Sequence, residues 1–174
     1  MHRLLPFCLV LFWAQAQAEP VDLKLGLASF QMSIGHAAPK LPQNDTGLAL
    51  FAEAPQGNYA ATRLLLYRLF DQSDVRGGET QLLWGYGLAQ AGPRLYFGPT
   101  WHFEKIHVQR AQGARSKDFY GWGAQAGLGF QYQSLSLDYA LGLRDNRQYR
   151  HENHHFGLKA GDVWTHSLLF SYHF

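Results

Sequence analysis

Several groups of residues in this sequence have types and spacings that could support chemistry. Near the C-terminus, Thr165-His166-Ser167 sets a potential general base beside a hydroxyl. A hydrolytic site needs a nucleophile and a base within hydrogen-bond reach, with a third group to orient the base. Farther upstream, His151, His154 and His155 lie close to Glu152, and imidazole with carboxylate suits Zn or Cu. Their His-x-x-His-His spacing matches no closed metal site, so neither a metal nor a cofactor is expected. Basic residues form two further groups: Arg110, Arg115 and Lys117, then Arg144, Arg147, Arg150 and Lys159. Arginine binds phosphate through bidentate, charge-assisted hydrogen bonds. What any of these groups can do depends on the elements that hold them.

Those elements have period two, which is the signature of strands. Tyr120, Trp122, Ala124, Ala126, Leu128, Phe130 and Tyr132 alternate with glycine and glutamine at 121–131. Leu135, Leu137, Tyr139, Leu141 and Leu143 continue the pattern, as do Trp164, His166, Leu168, Phe170, Tyr172 and Phe174. Earlier strands are read around Val21–Leu27, residues 46–54, 59–70, Leu82–Leu88 and Leu95–Phe103, for a total of eight. In the third, the run Leu64-Leu65-Leu66 hides the phase, so either Arg63 or Arg68 could face inward.

The apolar face carries aromatic residues at its ends, and the other face is small and polar. A barrel in lipid wants this arrangement: apolar side chains outward, aromatic girdles at both interfaces, and a polar interior. A soluble β-sandwich also alternates, and a periplasmic sandwich is the rival reading. The connections favour the barrel. Pro55–Asn58, Ala91–Pro93 and Gln133-Ser134 are tight, whereas Gln31–Asp45, Asp71–Gly78, Gln109–Asp118 and Arg144–Asp162 are long. Strict alternation of short periplasmic turns with long extracellular loops is the outer-membrane pattern. Composition agrees. Charged residues make up 16% of the chain, against roughly 25% in soluble domains. Beyond residue 18 no apolar run reaches the ~20 residues of a membrane helix.

Residues 1–18 read as a cleaved secretory signal, with Arg3 before an apolar core and Ala16-Gln17-Ala18 as the cleavage site. Residues 19–174 are then the barrel, and Cys8 leaves with the signal, so no disulfide framework supports the fold. The Gly-x-Gly runs at 85–87 and 121–129 lie inside strands rather than before a helix, which argues against a dinucleotide site. Nucleic acid is not an expected partner at this location.

The C-terminal Phe170-Ser171-Tyr172-His173-Phe174 resembles the last strand of outer-membrane barrel proteins. That resemblance implies that Phe170, Tyr172 and Phe174 act as a signal to the barrel-assembly machinery, reached with periplasmic chaperones. In size, strand count and loop order the chain is similar to the class of the outer-membrane protein A transmembrane domain and outer-membrane protein X. The fold implied is all-β: an eight-stranded antiparallel transmembrane β-barrel, monomeric, in the bacterial outer membrane.

In such a barrel Asp22, Lys24, Arg94, His102, Glu104, Gln125, Gln131 and Asp138 fall on the lumen side. Eight strands leave an interior that side chains fill, so a structural ion-pair network is expected there, with an ion path or narrow pore as the alternative. Some barrels of similar size act on lipid A through a His, a Ser and an acid. His166 and Ser167 are adjacent on a strand and point to opposite faces, so a lipid-A-modifying activity is the weaker alternative. The basic residues fall in the third and fourth extracellular loops, beside phosphorylated lipopolysaccharide. A structural or surface-interaction role through contacts of those loops with lipid and lipopolysaccharide, or with an adhesion partner, is the leading expectation.

Overall fold

The computed structural model describes residues 22–35, 44–70, 74–110, 113–149 and 161–174, and only the backbone at 107–110 and 113–115. The signal segment lies outside these residues. The chain forms β1 (Lys24–Ile34), β2 (Asn44–Pro55), β3 (Ala60–Leu69), β4 (Asp74–Tyr86), β5 (Gly92–Arg110), β6 (Gly113–Tyr132), β7 (Leu135–Arg144) and β8 (Val163–His173). Each strand pairs antiparallel with the next, and β1 pairs with β8 from Lys24↔His173 to Ile34↔Val163, closing the barrel. Closure satisfies every interior strand edge, the condition for crossing lipid with strands. No helix among the described residues is long and apolar enough to cross a membrane.

Period two decides which side chains face lipid. Leu25, Leu27, Leu48, Leu50, Leu64, Leu66, Leu128 and Leu168 all point outward and are exposed, while Lys24, Phe30, Arg63, Tyr96 and Asp138 point inward and are buried. Exposed aromatics collect at the two ends of the outer face. Tyr59, Tyr86, Tyr132, Tyr172 and Phe174 lie toward the short-turn end, and Phe70, Phe103, Tyr120, Trp122 and Trp164 toward the other. Two rings of aromatics bounding an apolar band mark the two membrane interfaces. The end with the short turns is periplasmic. In the two-residue turn between β6 and β7, Gln133 adopts φ 53°, a left-handed conformation suited to tight hairpins.

Three features differ from the pattern expected from sequence. The third long loop is a strand pair instead: β5 and β6 stay in register out to Arg110↔Gly113. β4 stops pairing with β5 at Asp74↔His107, and β7 stops pairing with β6 at Arg144↔Gly123, so the β5–β6 hairpin projects beyond the rim. A transmembrane strand needs only about 9–11 residues, and the 19 and 20 residues here supply the projection. The second long loop is likewise shortened, because β4 starts at Asp74. Finally, Leu88 is buried rather than outward-facing. It lies past the end of β4, where the strand's alternation no longer applies. In β3 the phase is settled with Arg63 inside and Arg68 outside.

Candidate functional site

The lumen is crossed by a continuous polar network that begins at the periplasmic turn and ends at the extracellular mouth. At the periplasmic end, Lys24 Nζ donates to Leu88 O at 2.6 Å and to Gln131 Oε1 at 2.7 Å, and lies 3.6 Å from Glu53 Oε1. Glu53 is the centre of this level. Its Oε2 accepts from Arg63 Nε at 2.9 Å, and its Oε1 accepts from Arg94 Nη2 at 2.6 Å. Asp138 receives Arg94 Nη1 at 2.8 Å and lies 3.5 Å from Arg63 Nη2. The Arg63 guanidinium also sits 4.9 Å from the Tyr96 ring centre. These charges come from β1, β2, β3, β5 and β7, so the network ties together strands that share no ladder.

Gln81 carries the network outward. Its Oε1 accepts from Arg63 Nη1 at 3.3 Å, and its Nε2 donates to Glu79 Oε1 at 2.9 Å. At the extracellular level Arg144 is central, donating to Glu79 Oε2 at 2.6 Å, Glu104 Oε2 at 2.8 Å and the Tyr67 hydroxyl at 3.2 Å. Phe30 stacks on Tyr67 at 4.4 Å between ring centres. Every charged member is almost wholly buried. Burial of a charge is tolerated where partners replace its water; each charge here has an opposite charge beside it, while Arg94 Nε, Asp138 Oδ1 and Arg144 Nε have no hydrogen-bond partner among the described residues.

Glycines on the inner face make space for these large groups. A Cβ on Gly129 would fall 1.9 Å from Asp138 Oδ1, and one on Gly127 would fall 2.4 Å from the Tyr96 ring. We expect Gly129→Ala to displace the Asp138 carboxylate and cost about 1–3 kcal/mol, the range for overpacking a filled interior. Urea unfolding of the lipid-embedded barrel measures this, and an unchanged midpoint would show that Asp138 shifts without loss.

At the extracellular mouth the residues that follow β7 fold back onto the barrel. Asp145 N–H donates to Trp122 O at 2.8 Å, and Gln148 Oε1 accepts from Tyr120 N–H at 2.8 Å. This docks the segment on the edge of β6 that β7 leaves unpaired. Tyr149 then turns inward, stacks on Phe119 with ring centres 4.8 Å apart, donates its hydroxyl to Glu104, and lies 3.3 Å from His102 Nε2. Burial holds the Tyr149 hydroxyl well above its ordinary pKa of 10, and the adjacent Glu104 carboxylate acts in the same direction. The folded state therefore keeps the phenol protonated when the unfolded chain would lose it. That stabilisation is full below about pH 10 and falls as pH rises beyond it. Tyr149→Phe is expected to cost about 1–2 kcal/mol at neutral pH and to make the alkaline loss shallower, as read by thermal unfolding between neutral and alkaline buffer.

Lys24, Arg94, His102, Glu104, Gln125, Gln131 and Asp138 all lie in the lumen and are buried. Asp22 does not lie in its core. It stands at the periplasmic rim, part-exposed, with Oδ1 2.6 Å from His173 Nε2. Arg144 requires a correction. It was placed by sequence in the fourth extracellular loop among lipopolysaccharide contacts, yet alternation continues through it: Leu143 faces out and Arg144 faces in. Of the other basic positions, Lys117 and Arg147 are exposed. Arg110 and Arg115 lie on the projecting hairpin with only their backbone described. Arg150 and Lys159, and the His151–His155 cluster, lie outside the described residues. Among the described residues no group of His, Cys, Asp and Glu is arranged to hold a metal.

Sequence reasoning missed Glu53, Glu79, Tyr67 and Tyr149 as members of the network and left Arg63 open against Arg68. Glu53 and Glu79 had a usable signal, because each occupies the inward phase of its strand. His166 and Ser167 lie on opposite faces. His166 faces outward with Nδ1 2.7 Å from the Tyr139 hydroxyl, while Ser167 is buried inside.

No protein-family model matches the chain, and no curated protein does. Solved structures with the same fold do. The N-terminal β-barrel domain of Pseudomonas aeruginosa OprF aligns with a TM-score of 0.62 at 10% identity, over 87% of this chain and 97% of that one. Ail, the attachment invasion locus protein of Yersinia pestis, in complex with the heparin analogue sucrose octasulfate, aligns at 0.53 with 16% identity, over 88% and 97%. Neisserial surface protein A aligns at 0.53 with 11% identity, over 90% and 97%. The chain has the fold of the small eight-stranded barrels of the bacterial outer membrane.

Proposed function

We propose that this barrel is a structural, surface-interacting protein that works through its extracellular end, where basic side chains meet phosphorylated lipopolysaccharide. The observation that carries the reading is the buried polar network that runs along the lumen from Lys24 to Tyr149, since an interior of eight strands is narrow enough for side chains to fill. With the interior committed to holding the wall together, the outer surface is what is left to act. Lys117 and Arg147 are exposed at that end, and the crystallised complex of Ail with a polysulfated sugar supports the same kind of contact here.

Neither alternative gains an observation. A narrow pore would need a gap through both levels of ion pairs. A lipid-A-modifying enzyme would need a nucleophile beside His166, whose Nδ1 lies 2.7 Å from the Tyr139 hydroxyl.

The test compares unfolding temperature in bilayers containing lipopolysaccharide with that in zwitterionic phospholipid alone. The reading expects a higher value with lipopolysaccharide and a gain that shrinks toward about 0.5 M salt, as exposed charges are screened. Equal unfolding temperatures in the two bilayers would overturn it.

A further inference from the structure

The outer face holds a second arrangement of charge that the loops do not account for. Arg68 on β3, Arg76 on β4 and Lys105 on β5 are direct partners in register, Arg68↔Arg76 and Arg76↔Lys105, and all three face outward. Their side chains are 58%, 59% and 51% exposed. Adjacent strands are about 4.8 Å apart, so the row places three cations within about 10 Å.

Its height on the barrel gives it meaning. One outward step below, in the same register, lie Leu66, Gly78, Phe103 and Tyr120; one step lower lie Leu64, Thr80, Trp101 and Trp122. The cations stand at the extracellular edge of the aromatic girdle, where Phe70 also faces outward one step beyond Arg68, and this is the level of lipid headgroups. Two carboxylates flank the row. Asp74 Oδ1 accepts from Arg68 Nε at 3.0 Å and Asp74 Oδ2 accepts from Arg76 Nη2 at 3.2 Å, while Asp118 Oδ1 lies 3.7 Å from Lys105 Nζ. Asp74 thus orients both guanidiniums without saturating them. Two guanidiniums carry about ten N–H donors, against about four lone-pair sites on one carboxylate. Among the described residues, three cations stand against two carboxylates, which leaves the row positive.

We propose that Arg68, Arg76 and Lys105 form a binding site for the phosphate groups of a phosphorylated glycolipid in the outer leaflet. The inference rests on the surface-contact reading above and moves the contact from the loops to the barrel wall. Arginine forks suit a tetrahedral oxyanion, and the aromatic rings directly below can pack against acyl chains. A soluble phosphate would gain nothing from that apolar neighbour, and so the lipid is the ligand assigned.

The test uses the refolded barrel in zwitterionic micelles, with equilibrium binding of diphosphoryl lipid A, of the same lipid stripped of phosphate, and of inorganic phosphate. Folding of each variant is checked by heat-dependent gel mobility. The triple variant R68Q/R76Q/K105Q is expected to bind diphosphoryl lipid A at least tenfold more weakly than wild type, and to bind the stripped lipid equally well. Undiminished binding by the triple variant would overturn the site. So would saturable binding of inorganic phosphate that the triple variant loses, since that is a soluble-anion site. K117Q/R147Q serves as the loop control. If it weakens binding and the triple variant does not, the wall site fails and the loop reading stands; if neither weakens binding, both fail.

Discussion

Glu53→Gln is expected to lower the unfolding free energy by about 3–5 kcal/mol, the range for breaking a buried ion pair by removing one partner. Glu53 is shared by Lys24, Arg63 and Arg94. Without its charge, three buried cations face Asp138 alone at that level. The amide can keep one hydrogen bond as acceptor, but its NH₂ group points donors at guanidinium donors. Urea unfolding in a fixed lipid measures the loss. The double variant E53Q/R94M, which also removes one surplus cation, is expected to recover part of it, because residues in one network do not add independently. A loss below about 1 kcal/mol would mean that water reaches this level and screens the cations.

Arg144→Met is expected to be comparably severe, again about 3–5 kcal/mol. Arg144 donates to both Glu79 and Glu104, and a thioether leaves two buried carboxylates with hydroxyl and amide donors only. Arg147→Gln, three positions on, is the contrast. Arg147 is exposed and lies 3.7 Å from Asp145, and such a pair contributes about 0–1 kcal/mol. If R144M and R147Q cost the same, Arg144 is not the buried hub described above.

How far the sequence reaches can be judged from such residues. Alternation at 120–132, 135–143 and 164–174 gave strand phase directly, because lipid outside and a filled lumen inside impose opposite demands on neighbours. The phase of β3 stayed open because Leu65, which faces the lumen, is as apolar as Leu64 and Leu66, which face lipid. The interior of this barrel is not uniformly polar: Phe30, Met32, Leu65 and Leu69 all lie inside. That mixed lining is also why Glu53 and Glu79 were passed over, in strands whose apolar pattern was weak.

The site residues were legible where alternation was clear and were lost where a long loop was assumed. The polar run after Arg144 points to a loop, although the strand phase through Leu143 places Arg144 inward. The projecting β5–β6 hairpin looks like a loop in sequence because residues 109–118 are polar, and a strand outside the membrane has no lipid to impose an apolar face. The Arg68–Arg76–Lys105 row could not be read from sequence at all. Its members are 8 and 29 positions apart, and only the register brings them side by side.

The measurement that bears most directly on this account is the electrical conductance of the purified barrel in a planar bilayer. A lumen filled from Lys24 to Tyr149 should give no stable conductance steps at any salt concentration. Reproducible steps that grow with salt would show a continuous water path through the ion pairs, and would contradict the assignment of the interior to structure and of function to the outer surface.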